Sequence, residues 1–453
     1  MLGRILREAL TLSTKSSAPP TDVTAESGVL PTQQEGGAIL CFYGASEGNA
    51  LEQLIREQAR PFAKHASALH FFDLNSTNWR QQVLDVLEMP VWFAMSHFGV
   101  GQDFNLSSNG RSVNAWAAHG IPFLRLYGDT PAYFPDRHAH QYPGSINVYS
   151  DKAHHGFYTR WFEHKTLSLT MPHTLIDPLE FEQADFDAKL KGKIIFPKNG
   201  NSPDELIDYW RSTLPRSITS ILLNLAEESV SQDSIGREPR LDERLINDLA
   251  ARQINPGFEP ATLLFMVAQL DDYLRRYKST LIARALLDLP VIIRGKSWGH
   301  LDFSGRRATY DPDSDMGRTQ RLIDQAPALV DMSPNTQSST HDRIRRAAGR
   351  WTAFLTDETE FLMAHFNLPH RFTFKLEPDS IQAIVSQYID RPQDAIEMGI
   401  EQSRRLRQIY DEDQYIDAIT QVVALASLTI GNRPKGTQNF VNFPPKRFGK
   451  PIP

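Results

Sequence analysis

The chain has 453 residues, of which 41% are hydrophobic and 23% charged, a composition that allows large buried cores and more than one domain. A formal charge of −6 without a long basic block argues against a general nucleic-acid-binding protein. The single cysteine, Cys41, excludes an intrachain disulfide and a cysteine-rich zinc site, and it is typical of a cytoplasmic protein. Apolar runs such as 263–268 are far shorter than the roughly 20 residues of a membrane-spanning helix.

The first residues form a segment distinct from the rest. Leu2, Ile5, Leu6 and Leu10 recur at helical spacing among basic side chains, which is compatible with an amphipathic helix at a membrane surface or partner, or with a frayed terminus. Residues 16–36 are rich in Ser, Thr, Pro and Gly. We therefore expect a flexible leader over 1–36.

From residue 37 onward, short runs rich in β-formers alternate with helical stretches. This alternation predicts βαβ units with a buried parallel sheet, and hence a Rossmann-like domain over 37–185. The predicted strands are 38–43, 68–74, 90–95, 121–127, 146–149 and 166–170.

A second alternation begins near residue 186 and predicts another Rossmann-like domain over 186–376. Its predicted strands are 193–196, 290–294, 328–332 and 351–355. Ser202 before Pro203 predicts a capped helix start, and Leu263, Val267, Leu270 and Leu274 mark one face of a long helix. We expect helices over 377–430 and a basic tail over 431–453. The predicted fold class is therefore α/β, with two Rossmann-like domains facing across a cleft and C-terminal helices.

The loop after the predicted strand 328–332 is the clearest candidate binding site. Ser338, His341, Arg343 and Arg346 lie in this loop and in a helix predicted from about Ser339. Ligands of open parallel sheets bind at the carboxyl ends of strands, and free amides with arginines at a helix start favour a phosphate. The alternative is an ordinary solvated helix face.

Two further loops lie at predicted strand ends. Gly295 allows close backbone approach to a ligand, and Trp298 offers a flat face for a base. The alternative for Trp298 is a buried side chain after a tight turn. Asn201 belongs to a third loop, 199–202, whose turn residues are of low specificity.

These segments resemble the CgeB-like, or spore-maturation-type, glycosyltransferases of the GT-B fold. The resemblance covers about residues 190–370 and is looser in the N-terminal half. The matching segments are 196–201, 277–298, Ser333-Pro334, His341-Asp342-Arg343, Ala347, Gly349 and Leu355-Thr356-Asp357. The chain departs from many GT-B enzymes in lacking their Glu-x7-Glu helix pattern.

The resemblance implies transfer of a sugar from a nucleotide-diphosphate-sugar donor bound to the C-terminal domain. The unidentified acceptor, a glycan, protein or small molecule, would lie between the domains. Trp298 and Gly295 would border the nucleotide, and His341 and Arg343 the diphosphate and ribose. We expect no metal or other cofactor, because a basic pocket can hold a diphosphate alone.

An inverting transfer would need a base from the N-terminal half. His97 and Asp129 follow predicted strands and are the candidates, with turn-forming roles as the alternative for each. A retaining mechanism would need neither residue. The pairs His154-His155 and His138/His140 and the run 311–315 resemble metal ligands, but we interpret them as solvated, capping or turn residues.

Two other functions remain open at the sequence level. One is a non-catalytic sugar- or nucleotide-binding protein of the same fold. The other is a membrane-surface scaffold that acts through residues 1–15, in which the basic tail would assist a weak membrane contact.

Overall fold

The computed structural model describes residues 37–430 except 47–48, 109–110, 163–165, 172, 232–239 and 255–259. The leader and the basic tail expected from the sequence lie outside these residues. The N-terminal half is built on a six-stranded sheet in the order β2-β1-β3-β6-β7-β8, in which all pairs are parallel. Its strands are β1 (Ala38–Tyr43), β2 (Leu69–Asp73), β3 (Val91–His97), β6 (Phe123–Tyr127), β7 (Ser145–Tyr149) and β8 (Leu167–Thr170).

Helices cover both faces of this sheet, which explains why strands such as β6 and β7 are buried along their whole length. The helices are α1 (Ala50–Ala59), α2 (Trp79–Val86), α3 (Ala115–His119), α4 (Pro135–Ala139) and α5 (Lys152–Trp161). A short antiparallel hairpin, β4 (Asn105–Ser108) with β5 (Arg111–Asn114), was not predicted. All six predicted strands of this half are confirmed, and no strand end is shifted by more than two residues.

The C-terminal half also contains a six-stranded sheet, with the strand order β11-β10-β9-β12-β13-β14 and parallel pairs. The strands are β9 (Ile195–Pro197), β10 (Ile292–Arg294), β11 (Thr309–Asp311), β12 (Ala328–Val330), β13 (Ala353–Asp357) and β14 (Thr373–Phe374). The order reverses between β9 and β12, and at such a switch point the loops that follow the two strands are expected to diverge and leave a crevice at their carboxyl ends.

Helices account for most of the remaining chain. They are α6 (Phe186–Lys191), α7 (Pro203–Thr213), α8 (Arg216–Ser229), α9 (Leu241–Ala251), α10 (Pro260–Leu286), α11 (Met316–Gln325), α12 (Asp342–Gly349), α13 (Glu360–His365), α14 (Pro378–Asp390), α15 (Pro392–Ile409) and α16 (Glu412–Ile430). Ser202 caps α7 as predicted, and the predicted apolar face of α10 is buried. In the part of the chain that the structure describes, no helix is long and apolar enough to cross a membrane.

The last helix joins the two halves. Helices α14 and α15 pack on the C-terminal sheet, but α16 returns to the N-terminal sheet, where Ile419 and Val423 join the core around Ile39 and Phe93. Contacts between Asp151, after β7, and residues 337–339, after β12, show that the carboxyl ends of the two sheets face each other. The predicted α/β fold class, with two facing Rossmann-like units and C-terminal helices, is confirmed.

Candidate functional site

Lys198 directly follows β9 and stands at the point where the strand order of the C-terminal sheet reverses. Its ammonium forms no hydrogen bond or ion pair with any residue that the structure describes. Arg343, on α12 across the crevice, donates to Asp331 Oδ1 at 2.5 Å and remains 13% exposed. Two cations therefore flank the entrance between β9 and β12, and only one of them is neutralised by a carboxylate.

The opposite wall of this crevice comes from α10 and the N-terminal half. Arg275 on α10 lies 2.7 Å from Asp271 and also 2.7 Å from Asp129, which follows β6. Tyr133 donates to Asp271 at 2.8 Å, and the Asn335 amide donates to the same carboxylate at 2.9 Å. This network fixes Arg275 while leaving Asp129 30% exposed.

Burial and neighbouring charges shift the pKa values of the lining groups. Burial, followed by the nearby Arg343 and Arg275 guanidinium groups, lowers the pKa of Lys198 to about 8. Burial also lowers the pKa of His341, and Arg343 lowers it further. The repulsion of Lys198 by Arg343 and Arg275 favours binding of an anion, which would relieve it.

The loop 333–341 differs from its prediction. Helix α12 begins at Asp342 rather than near Ser339, with His341 as its N-cap, and the backbone amides of Gln337 and Ser338 donate to Asp151 Oδ2 at 3.2 and 2.9 Å. The Ser338 hydroxyl donates to the same oxygen at 2.9 Å. A protein carboxylate thus accepts from the amides that were expected to face a phosphate, and a role of Ser338 in donor binding stays a prediction.

His341 and Arg346 take different positions on α12. His341 Nδ1 lies 2.6 Å from Asp342 Oδ1, and its ring remains 23% exposed with Arg343 and Asp331 among its electrostatic neighbours. Arg346 is buried against α11, 3.6 Å from Asp342 and 3.5 Å from Gln320 Oε1. Arg346 therefore serves packing in this structure, whereas His341 and Arg343 line the crevice.

Trp298 and Gly295 pack against the backbone of Lys198. The Trp298 indole is fully buried and donates to the Lys198 carbonyl at 2.7 Å, and a Cβ on Gly200 would lie 1.9 Å from its ring. Gly295 has φ 135°, and a Cβ there would lie 2.5 Å from the same carbonyl. No face of Trp298 is available to a base, which corrects the expectation that its ring stacks on the nucleotide. Asn201 is exposed.

The environments of His97 and Asp129 lower the pKa of each side chain. Burial, with Arg345 nearby, lowers the pKa of His97 to about 4, and its Nε2 is enclosed without a hydrogen-bond partner among the described residues. Burial by itself raises the pKa of Asp129, but the paired Arg275 guanidinium more than offsets this effect and leaves that pKa below its ordinary value. At neutral pH a proton acceptor of pKa about 4 is almost always unprotonated but accepts protons weakly.

Within the described ranges, no group of three or more His, Cys, Asp or Glu side chains is placed to hold a metal ion. Asp311 and Asp313 instead pair with the buried Arg294, and His138 packs among aromatic rings. The sequence analysis missed Lys198 and Arg275. One signal could have pointed to Lys198, namely its position directly after a strand. Arg275 carries no local signal, because its role depends on contacts with the N-terminal half.

No protein-family profile matches the chain, and no curated protein matches its sequence. Among solved structures, Anabaena HepE in complex with UDP-glucose is similar at 11% identity, with a TM-score of 0.44, over 86% of this chain and 99% of that chain. Sucrose-phosphate synthase from Thermosynechococcus elongatus is similar at 9% identity, with a TM-score of 0.41, over 85% and 98%. MurG from Acinetobacter baumannii is similar at 10% identity, with a TM-score of 0.34, over 85% and 99%. These values describe a distant likeness.

Proposed function

We propose that the chain is a glycosyltransferase that takes a sugar from a nucleotide-diphosphate-sugar donor, without a metal ion. The donor diphosphate would lie in the crevice between β9 and β12, against Lys198 and Arg343. The acceptor would enter from the side of the N-terminal half, near Asp129. The resemblance of residues 190–370 to CgeB-like enzymes, seen in the sequence, agrees with this placement.

The unpaired ammonium of Lys198 is the observation that carries the proposal. The Lys198 ammonium lies at a topological switch point, and backbone contacts hold the residue in place. Because no carboxylate pairs with it, this cation is suited to an anionic ligand. Arg343 adds a planar donor group that is fixed by Asp331.

The two cations also suit the chemistry of transfer. As the acceptor oxygen bonds to the anomeric carbon, the bond from that carbon to the diphosphate oxygen breaks and its electron pair remains on the leaving diphosphate. Positive groups fixed in advance stabilise this developing charge without reorganisation. The acceptor hydroxyl gives up its proton in the same step, to a base or to the leaving diphosphate. Lys198 neither takes nor gives a proton, so the proposal does not depend on an assignment of the base.

Replacement of Lys198 by Met tests the donor site. UDP, GDP, TDP and CMP and their sugars are screened by thermal shift, where a ligand at ~100 times its Kd stabilises the native state by about 2.7 kcal/mol. We expect the Lys198→Met variant to bind the effective nucleotide at least about tenfold more weakly, because one charge-assisted contact is lost. Its ligand-free melting temperature should not fall, since the ammonium makes no internal pair.

Lys193→Met is the matched control, because Lys193 is an exposed lysine at the other end of the same strand segment. Arg343→Ala is a less clean test, since it would also leave Asp331 buried without its guanidinium. A nucleotide response that is unchanged in Lys198→Met would refute the placement of the donor. Release of sugar or its transfer from the bound donor distinguishes an enzyme from a non-catalytic binding protein.

A further inference from the structure

Two buried carboxylates stand side by side at the carboxyl ends of β12 and β13. Asp331 is 0% exposed and Asp357 is 1% exposed. Each uses one oxygen: Asp331 Oδ1 accepts from Arg343, and Asp357 Oδ1 accepts from the Ser333 amide at 2.6 Å. The second oxygen of each carboxylate has no hydrogen-bond partner among the described residues.

An unpaired ammonium faces the same region from α10. Lys278 is 2% exposed and forms no hydrogen bond or ion pair with any described residue. Asp357 and Asp271 are the charged groups that act most strongly on it, and burial lowers the pKa of Lys278 despite them. Asn335, which lies over Asp271, also has an unpartnered side-chain oxygen and is 4% exposed.

Buried polar atoms in native proteins almost always have partners, because leaving them unpaired is costly. A cluster of such atoms at the ligand-binding edge of a parallel sheet therefore indicates a binding subsite. A metal ion does not suit the cluster, because Lys278 would repel it and two carboxylates give too few ligands. An anion does not suit it either, because the two carboxylates would repel the anion.

We infer that Asp331, Asp357 and Lys278 form a subsite for a neutral vicinal diol, with hydroxyl groups donating to the free carboxylate oxygens and accepting from the ammonium. The inference rests on the proposed function, which supplies two such diols, one on the transferred sugar and one on the ribose of the nucleotide.

Asp357→Asn is the variant that tests the subsite. Asparagine Oδ1 keeps the acceptor for the Ser333 amide, so we expect the ligand-free melting temperature to stay within about 2 °C of wild type or to rise. Binding of the donor should weaken by about tenfold or more, because an amide nitrogen replaces an acceptor oxygen. Asp394→Asn, at a more exposed carboxylate on α15, is the matched control and should change neither quantity.

Three probes separate the two diols: UDP-glucose, UDP and 2′-deoxy-UDP, or their guanosine counterparts where those stabilise the wild type. Loss of affinity for the nucleotide sugar alone assigns the subsite to the sugar. Loss for the sugar and the free diphosphate, but not for the 2′-deoxy compound, assigns it to the ribose.

Unchanged affinity for all three probes overturns the subsite while the donor site at Lys198 stands. The ligand-free melting temperature of Asp357→Asn tests the subsite independently of any nucleotide. A melting temperature lowered by more than about 4 °C would show that Asp357 is a structural partner of Lys278, and this would also overturn the inference.

Discussion

Lys198 is positioned by residues that do not themselves face the crevice. Trp298 donates to its carbonyl, and the lack of side chains at Gly200 and Gly295 lets the two loops pack closely around it. The sequence motif that suggested stacking on a nucleotide base therefore has a supporting role. A tryptophan beside glycines is compatible with both uses, and only the packing partners distinguish them.

The pKa of Lys198 predicts how nucleotide affinity depends on pH. Because its pKa is about 8, the ammonium is mostly charged at pH 7 and mostly neutral at pH 9. An anionic ligand binds the charged form, so the Kd of an effective nucleotide should rise above pH 8, by up to about tenfold per pH unit. Isothermal titration between pH 7 and pH 9.5 measures this slope.

Lys198→Arg is the control for this pH dependence, since a guanidinium stays charged over the whole range. Its Kd should vary less with pH than that of the wild type. Parallel slopes for the two proteins would show that a group other than Lys198 titrates.

At the scale of elements, the loop between β12 and α12 joins the two halves of the molecule. Asp151 caps α5 through Oδ1 and receives the Gln337 and Ser338 amides through Oδ2. The Ser338 hydroxyl in turn accepts from the Lys152 amide at 2.8 Å. The contact therefore ties the first turn of a helix in one half to a strand-end loop in the other.

Asp151→Ser should remove the contact between the two halves and keep the N-cap of α5. A serine at the N-cap can still accept from the Ala153 amide, but its side chain is too short to reach both loop amides. We expect the free energy of unfolding to fall by about 2 kcal/mol, since buried donors lose a charged acceptor, and hydrogen exchange to accelerate at residues 337 and 338.

Asp185→Ser, at the exposed N-cap of α6, changes the same residue types and should cost only a few tenths of a kcal/mol. Denaturant unfolding compares the two variants. Equal losses would mean that capping alone, and not the contact between the halves, accounts for the effect of Asp151.

At the scale of the whole molecule, α16 makes the N-terminal core depend on the end of the chain. Ile419 is fully buried and packs in the same cluster as Ile39, Phe62 and Phe93, which lie more than 300 residues earlier in the sequence. Most of the sheet face under α16 is apolar, so this helix completes the covering of the N-terminal sheet.

Ile419→Ala should therefore lower the free energy of unfolding by about 2–5 kcal/mol, as expected for a large buried side chain. Leu428→Ala on the same helix is the control, because Leu428 is 73% exposed and its loss should cost less than about 0.5 kcal/mol. Urea unfolding monitored by tryptophan fluorescence measures both. Similar losses for the two variants would contradict the packing of α16 on this sheet.

The sequence by itself predicted two parallel sheets, with all six strands of the first and four of the six strands of the second; β11 and β14 were not predicted. Strand identity there follows from local information, since continuous runs of β-branched and aromatic residues between turn signals are visible without any partner. The capped start of α7 and the buried face of α10 were predictable for the same reason. The prediction that the two halves face each other is also confirmed, by the contacts of Asp151 with the loop after β12.

Only the tertiary structure decided which side chains in those loops face the crevice. Asp151 takes the amides of the loop after β12, Trp298 turns inward, and Arg275 reaches Asp129 from a helix 146 residues later in the chain. These outcomes depend on contacts between residues far apart in sequence, and neither spacing nor composition encodes such contacts. The lack of a partner for the Lys198 ammonium also depends on the tertiary structure, because the residues that surround a lysine decide whether it is paired.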